Sequence, residues 1–332
     1  MRLELDYKRF FIISFKAALL IACVVFLYTG LDWEKLLAAV KRYETHQILV
    51  VLLAMSLGVF IMGLRLWDLA ERSCSLGHGV FAAFYGFFAN NVLPARLGEV
   101  AKIVYLYQVP CIQPPKSTEF VFWERFADLN VFLVLVAVSA FILGEIYLLL
   151  PFGGLALITW ILLVIFSRNP PGVYRVIRYV PIRKIKEFLK SFLQHVEART
   201  GVASYVRLMS FTVLLWLENL VEIFLILFWL AAFDLTFSQG LVVFALIMTG
   251  LSLPLAPAGL GVVDTAIVFS LGLYGIEHNE ALAASLIWRV VQYIITVSFG
   301  LLLAVKEGAA FKDLLVSTRR REGVSVYYTR QE

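Results

Sequence analysis

The chain has 332 residues, of which 61% are hydrophobic and only 16% charged, with a net charge of +5 and a mean hydropathy of +0.85. Soluble domains carry about 45–50% apolar residues by a similar count, so the surplus must face lipid and a water-soluble fold is excluded. The Lys and Arg residues sit in short segments between apolar runs, which makes them topology signals and argues against a nucleic-acid surface.

Arg2, Lys8 and Arg9 precede an apolar stretch running from Phe10 to about Tyr28. It has no A-x-A cleavage site, and Glu4 and Asp6 dilute the basic start, so it reads as a retained first span and not a signal peptide. Six segments have the length and apolarity of full spans: about 10–29, 47–69, 120–143, 146–166, 206–233 and 281–305. Two more apolar regions, 79–107 and 239–275, are interrupted. The first carries Asn90-Asn91-Val92-Leu93-Pro94-Ala95-Arg96-Leu97-Gly98-Glu99, the second Leu253-Pro254-Leu255-Ala256-Pro257-Ala258-Gly259-Leu260-Gly261. Proline removes a helix hydrogen bond and clashes with the preceding turn, and glycine lets backbones approach closely. Each region therefore reads as two short helices joined by a break, with Pro94, Gly98, Pro254, Pro257, Gly259 and Gly261 as the breakers.

Charge decides whether these regions cross the membrane or turn back. Segment 168–199 holds eight Lys/Arg (Arg168, Arg175, Arg178, Arg183, Lys184, Lys186, Lys190 and Arg199) against Glu187 and Glu197, which assigns it to the cytoplasm. The tail 306–332, with Arg319-Arg320-Arg321, is basic too. If both broken regions re-enter, the two termini and this loop all fall inside, and the outer loops keep only a few cations such as Lys35, Lys41 and Arg42. The loop 168–200 is also amphipathic, as expected of a helix lying along an anionic leaflet, although a partner-binding role fits the same pattern.

Pro94 and Pro254 stand 160 residues apart, and Arg125 and Arg289, each on the span after its break, 164 apart. Two copies of span, broken region and span, about 47–143 and 206–305, then enter from opposite faces, an arrangement typical of transport sites. The expected fold is an all-α polytopic membrane protein: about six full transmembrane helices plus two broken re-entrant helix pairs in an inverted repeat. Residues 1–305 form one transmembrane domain and 306–332 a cytoplasmic basic tail.

Charges inside apolar spans are costly and mark candidate functional positions. The set is Arg65, Asp68, Arg96, Glu99, Lys102, Glu124, Arg125, Asp128, Glu218, Glu222, Asp264 and Arg289. Arg65 and Asp68 lie near a helix end, so they either snorkel to the interface or work inside. Glu124 and Asp128 share a helical face, as do Glu218 and Glu222. The first pair either holds the broken helix through Arg96 or Lys102 or touches substrate. Asp264 follows the second break, where a carboxylate suits a helix N-terminus. Two half-helix N-termini with Arg96, Arg125 and Arg289 make an anion site, and in a membrane the natural anion is a lipid phosphate.

Enzyme motifs are lacking: no G-x-x-x-x-G-K-[ST] loop, no H-E-x-x-H and no G-x-S-x-G. The cysteines Cys23, Cys74 and Cys111 and the four histidines are scattered, so no metal, cofactor or catalytic residue is expected.

Five motifs in order carry a resemblance. They are Arg65-Leu66-Trp67; Asn91 followed by Leu93-Pro94-Ala95-Arg96-Leu97-Gly98-Glu99; Glu124-Arg125-Phe126-Ala127-Asp128; Pro257-Ala258-Gly259-Leu260-Gly261-Val262-Val263-Asp264; and Arg289. From about residue 10 to 305 the chain resembles the flippase-like transmembrane region of lysylphosphatidylglycerol synthases, which also occurs as stand-alone proteins. Ala258 stands where the family usually has Gly, Asp264 where it has Glu, and Lys102 where it has Arg. About 27 residues follow the last span, where the bifunctional relatives carry a soluble aminoacyl-transfer domain, so lysine transfer is not expected of this chain. The resemblance implies a lipid flippase of a prokaryotic plasma membrane, multi-pass, with both termini cytoplasmic. It would move an anionic or polyprenyl-linked phospholipid, with Asn91, Arg96, Arg125 and Arg289 on the head group. Glu99, Lys102, Glu124, Asp128, Asp264, Glu218 and Glu222 would organise the site or relay protons. The alternative is a non-transporting partner that presents lipid to a separate glycosyltransferase or synthase. A homo-oligomer is compatible with either.

Overall fold

A computed structural model describes residues 21, 23, 25–93, 97–109, 112–142, 144, 146–168, 170–199, 201–252 and 257–307. Most of the expected first span therefore lies outside the described residues, as do Pro94, Arg96, Pro254 and the tail after 307. Every regular element among the described residues is helical. In chain order they are α1 (Trp33–Val40), α2 (Thr45–Leu69), α3 (Leu76–Val92), α4 (Gly98–Gln108), α5 (Pro114–Ile142), α6 (Ile146–Arg168), α7 (Pro170–Arg178), α8 (Arg183–Ala198), α9 (Val202–Phe224), α10 (Phe237–Ser252), α11 (Val262–Gly272) and α12 (His278–Glu307). A π-helical turn, Leu225–Leu230, extends α9.

Four stretches are long and apolar enough to cross a membrane: Thr45–Leu69, Pro114–Ile142, Val202–Leu230 and His278–Gly300. At 1.5 Å per residue, 25 residues reach about 37 Å, more than the roughly 30 Å of a hydrocarbon core. These helices stay apolar on their outer faces; Leu53 and Leu57 of α2 and Val297 of α12 are exposed. The chain is a polytopic helical membrane protein. Helix α6 fills the expected span 146–166 but carries a shorter apolar stretch, Leu150–Leu163.

The two interrupted regions fold as helical hairpins. In the first, the Asn90 side-chain carbonyl accepts the Gly98 N–H at 2.8 Å, the Lys102 stem lies on Gly86, and the Tyr85 and Tyr105 rings stand 5.9 Å apart. Contacts that climb one helix as they descend the other define antiparallel packing. Glycine is required at 98, because a Cβ there would sit 2.2 Å from the Gly86 carbonyl oxygen and 2.4 Å from Asn90 Cγ. Gly98→Ala should separate α3 from α4 and cost about 1–3 kcal/mol, read as a lower melting temperature. In the second hairpin α10 and α11 meet where Gly250 faces Ala266. At 11 residues each, α4 and α11 are about 16 Å long, too short to cross.

The second break turns through three left-handed residues: Ala258 (φ 51°), Gly259 (φ 64°) and Gly261 (φ 77°). Ala258 is the one with a Cβ, and left-handed backbone costs an L-residue about 1–2 kcal/mol. Ala258→Gly is therefore expected to raise the melting temperature; a fall would show that the Ala258 side chain, itself buried, contributes more by packing than it loses by strain.

Two apolar clusters hold the halves. One gathers Phe244, Ile247, Val263 and Ile267 of the second hairpin against α2, α12 and the π turn, and the other gathers Tyr85, Tyr105 and Leu106 of the first hairpin against Phe120 and Trp123 of α5. Exposed ion pairs Lys35–Glu277 and Arg42–Glu280 tie α1 and the loop after it to the start of α12. The hydrogen bond from Lys35 holds the Glu277 carboxyl below the usual carboxylate range. Around the opposite end, Arg199 reaches Glu119 of α5 and the Leu69 carbonyl, and Arg207 pairs with Asp68.

Candidate functional site

Eight of the twelve charges predicted inside the spans form two clusters, and the first of them contributes to the wall of a cavity of about 470 Å³. Its walls include Arg65 of α2, Arg125 and Asp128 of α5, Glu218 and Glu222 of α9, and Trp288 of α12. Ser252, the last residue of α10, also lines it, so the cavity reaches the second break.

The first cluster is centred on Arg65, whose side chain is fully buried. Its Nη1 donates to Asp128 Oδ1 at 2.6 Å and to the Thr212 hydroxyl at 3.2 Å, and its Nη2 to Glu124 Oε1 at 3.3 Å. The interior position holds and snorkelling does not. Glu124 shares its other oxygen with Lys102 at 2.8 Å, and Lys102 pairs with Glu99 at 2.9 Å. Arg125 closes the chain on Glu99 (3.1 Å) and Asp128 (3.4 Å). Three cations balance three carboxylates, which is how buried charge is tolerated. The members differ in one respect: the Arg125 side chain is 49% exposed, against 0% for Arg65 and 2% for Lys102. Arg65 Nε has no hydrogen-bond partner among the described residues.

The second cluster surrounds Arg289. Its Nε and Nη2 grip Asp264 in a bidentate pair, both at 2.9 Å. Nη1 donates to the Ala258 carbonyl, and Nη2 also to the Gly259 carbonyl at 3.0 Å. Asp264 caps α11 by accepting the Gly261 N–H, and takes a further hydrogen bond from Ser285. Every nitrogen of Arg289 is thus engaged on the second break.

The clusters correspond. Glu99 and Asp264 each lie in the first turn of the short helix after a break, and each pairs with an arginine on the next span. Those pairs, 99 with 125 and 264 with 289, are 26 and 25 residues apart.

Farther along the cavity lie Glu218 and Glu222. Glu222 accepts the Trp288 indole N–H at 2.6 Å, while Glu218 Oε1 has no hydrogen-bond partner among the described residues. Glu218 packs over Gly58, where a Cβ would fall 2.3 Å from Oε2. Glu218 is six residues from Thr212 on α9, so about 9 Å separates the two levels. Asn91 is not on this wall; its amide donates to Thr296 at 3.0 Å and joins α3 to α12. Sequence reasoning passed over Thr212, Trp288, Asn90 and the Glu119–Arg199 pair. A polar residue in an apolar helix was the available signal for Thr212 and Glu119.

Broken helices, buried ion networks and a cavity walled in part by charged residues define a membrane protein built around an internal charged site. The chain belongs to the family described as the lysylphosphatidylglycerol synthase TM region, whose model matches residues 13–300. It is also similar to a UPF0104 membrane protein of Methanocaldococcus jannaschii, with 26% identity over 226 residues, covering 65% of this chain and 92% of the relative.

Proposed function

We propose that the chain moves a phosphate-bearing lipid head group through the cavity between its two hairpins. The reading rests on Arg125. It is the cation of the charged network that stays half exposed while lining the cavity, and the planar fork of a guanidinium suits a phosphate oxygen pair. The family name, given to a lysylphosphatidylglycerol synthase region, favours a lipid substrate by association. Arg289, saturated by Asp264 and two carbonyls, is read as the clamp of the second break and not as a phosphate ligand. Arg96 keeps the head-group role suggested by its motif. Glu99, Glu124, Lys102 and Asp128 hold Arg65 and Arg125 in place, and Asp264 holds Arg289.

The hairpin packing and the matched pairs at Glu99–Arg125 and Asp264–Arg289 favour two re-entrant regions in an inverted repeat. The excess of cations around α7 and α8 favours a cytoplasmic placement for that end of a prokaryotic plasma membrane, with both termini inside. The activity is translocation without chemistry on the lipid; anionic and polyprenyl-linked phospholipids are the substrate classes.

Pure protein reconstituted with fluorescent phosphatidylglycerol should make the inner-leaflet dye accessible to an external quencher, and Arg125→Gln should slow this at least tenfold. Absence of translocation by pure protein, with co-purification of a transferase, would instead favour a lipid-presenting partner.

A further inference from the structure

The basic segment after α6 is used by none of the preceding chemistry. In α8, Ile185, Phe188, Leu189, Phe192, Leu193 and Val196 recur at the 3- and 4-residue spacing of one helical face, and Lys184, Lys186 and Lys190 lie off that stripe. The stripe is docked: the Phe192 ring stands 5.9 Å from Phe122 of α5. Yet no residue of Arg183–Ala198 is buried. An apolar stripe half covered by protein and flanked by lysines matches the interfacial zone of an anionic leaflet.

A groove of about 640 Å³ lies along the start of α9, the helix that follows α8. Its walls are Trp160 of α6 and one face of α9 from Val202 to Leu217, a run of about 22 Å at helical rise. The connection is aromatic: Phe192 meets Phe122, Phe122 meets Trp123 at 5.1 Å, and Trp123 meets Tyr205 of the groove wall at 5.1 Å. Tyr205 in turn donates to the Arg199 carbonyl, fixing the start of α9 to the end of α8.

We propose that α8 and this groove form a binding site for an anionic phospholipid, separate from the cavity, with the phosphate on the lysines of α8 and an acyl chain along α9. Charge complementarity selects the head group, since seven of the eight cations of segment 168–199 remain once Arg199 is taken up by Glu119, against two carboxylates. The groove supplies length and apolar surface for one chain.

The test is native mass spectrometry of the full chain in detergent, titrated with phosphatidylglycerol or phosphatidylcholine. The wild type should retain phosphatidylglycerol preferentially. The triple variant Lys184→Gln, Lys186→Gln, Lys190→Gln should lose that preference by roughly tenfold or more, each lysine contributing near a charged leaflet. Val213→Trp, which fills the groove with the lysines intact, should remove one bound lipid. Because the cavity also selects phosphatidylglycerol through Arg125, these comparisons are made in the Arg125→Gln background; the loss caused by Arg125→Gln alone reads the cavity, and the further loss caused by the lysine changes reads α8. Equal retention of the two lipids by the wild type, or a preference that survives the triple variant, would overturn the proposal.

Discussion

Arg65→Leu should cost about 3–5 kcal/mol and leave little folded protein in detergent. The guanidinium is fully buried and faces Asp128, Glu124 and Thr212. Removing it leaves three carboxylates to two cations, and a buried charge that loses its partner costs about that much. The loss exceeds the worth of the pair itself, because forming a buried pair already carries a desolvation cost. Arg65→Lys should rescue only in part, since one ammonium cannot span three acceptors in the planar fork that arginine provides. The comparison is Arg125→Gln. Arg125 is half exposed, so its ion pairs with Glu99 and Asp128 are screened and its loss should cost no more than about 1 kcal/mol. Fluorescence-detected size-exclusion thermal shifts measure both. An Arg65→Leu protein that melts with the wild type would show that the network is not what holds α2, α5 and α9 together.

Arg289→Lys should be the second severe change, at about 3–5 kcal/mol, and its effect should be local. Arginine here joins Asp264 to the carbonyls of Ala258 and Gly259, and those carbonyls belong to a left-handed turn. Lysine keeps the charge and loses the fork, so at least one carbonyl loses its arginine donor and Asp264 loses its bidentate partner. Hydrogen exchange should rise over residues 257–264 while α2 and α3 remain protected. Unchanged exchange over that segment would remove the clamp role and return Arg289 to the pool of head-group ligands.

The spans were legible because a bilayer demands length and apolarity, and hydropathy records both. The breaks were legible because Pro and Gly act locally: Pro257, Gly259 and Gly261 mark a turn whatever surrounds them. That the breaks close into hairpins was only indirectly visible, through the charge of 168–199. The partners of the buried charges were not legible. Arg65 stands four residues from the end of α2, and sequence allowed it to snorkel; Thr212 and Asp128, distant in sequence, bring it inside. Arg289 looked free because its neighbours are apolar, yet its ligands are backbone carbonyls that appear only once the second break has folded. The amphipathic pattern of 183–198 was plain, but its docking on Phe122 depends on where α5 begins.

In the proposed transport path the head group of a phosphate-bearing lipid enters the cavity and meets Arg125. A photoreactive side chain in place of Met62, on the cavity wall one turn from Arg65, tests it most directly in membranes of mixed composition. The expected adduct is enriched in phosphatidylglycerol over phosphatidylcholine, and the enrichment is lost when Arg125→Gln is added. Adducts that mirror the bulk lipid mixture, or that persist unchanged without the Arg125 guanidinium, would contradict it.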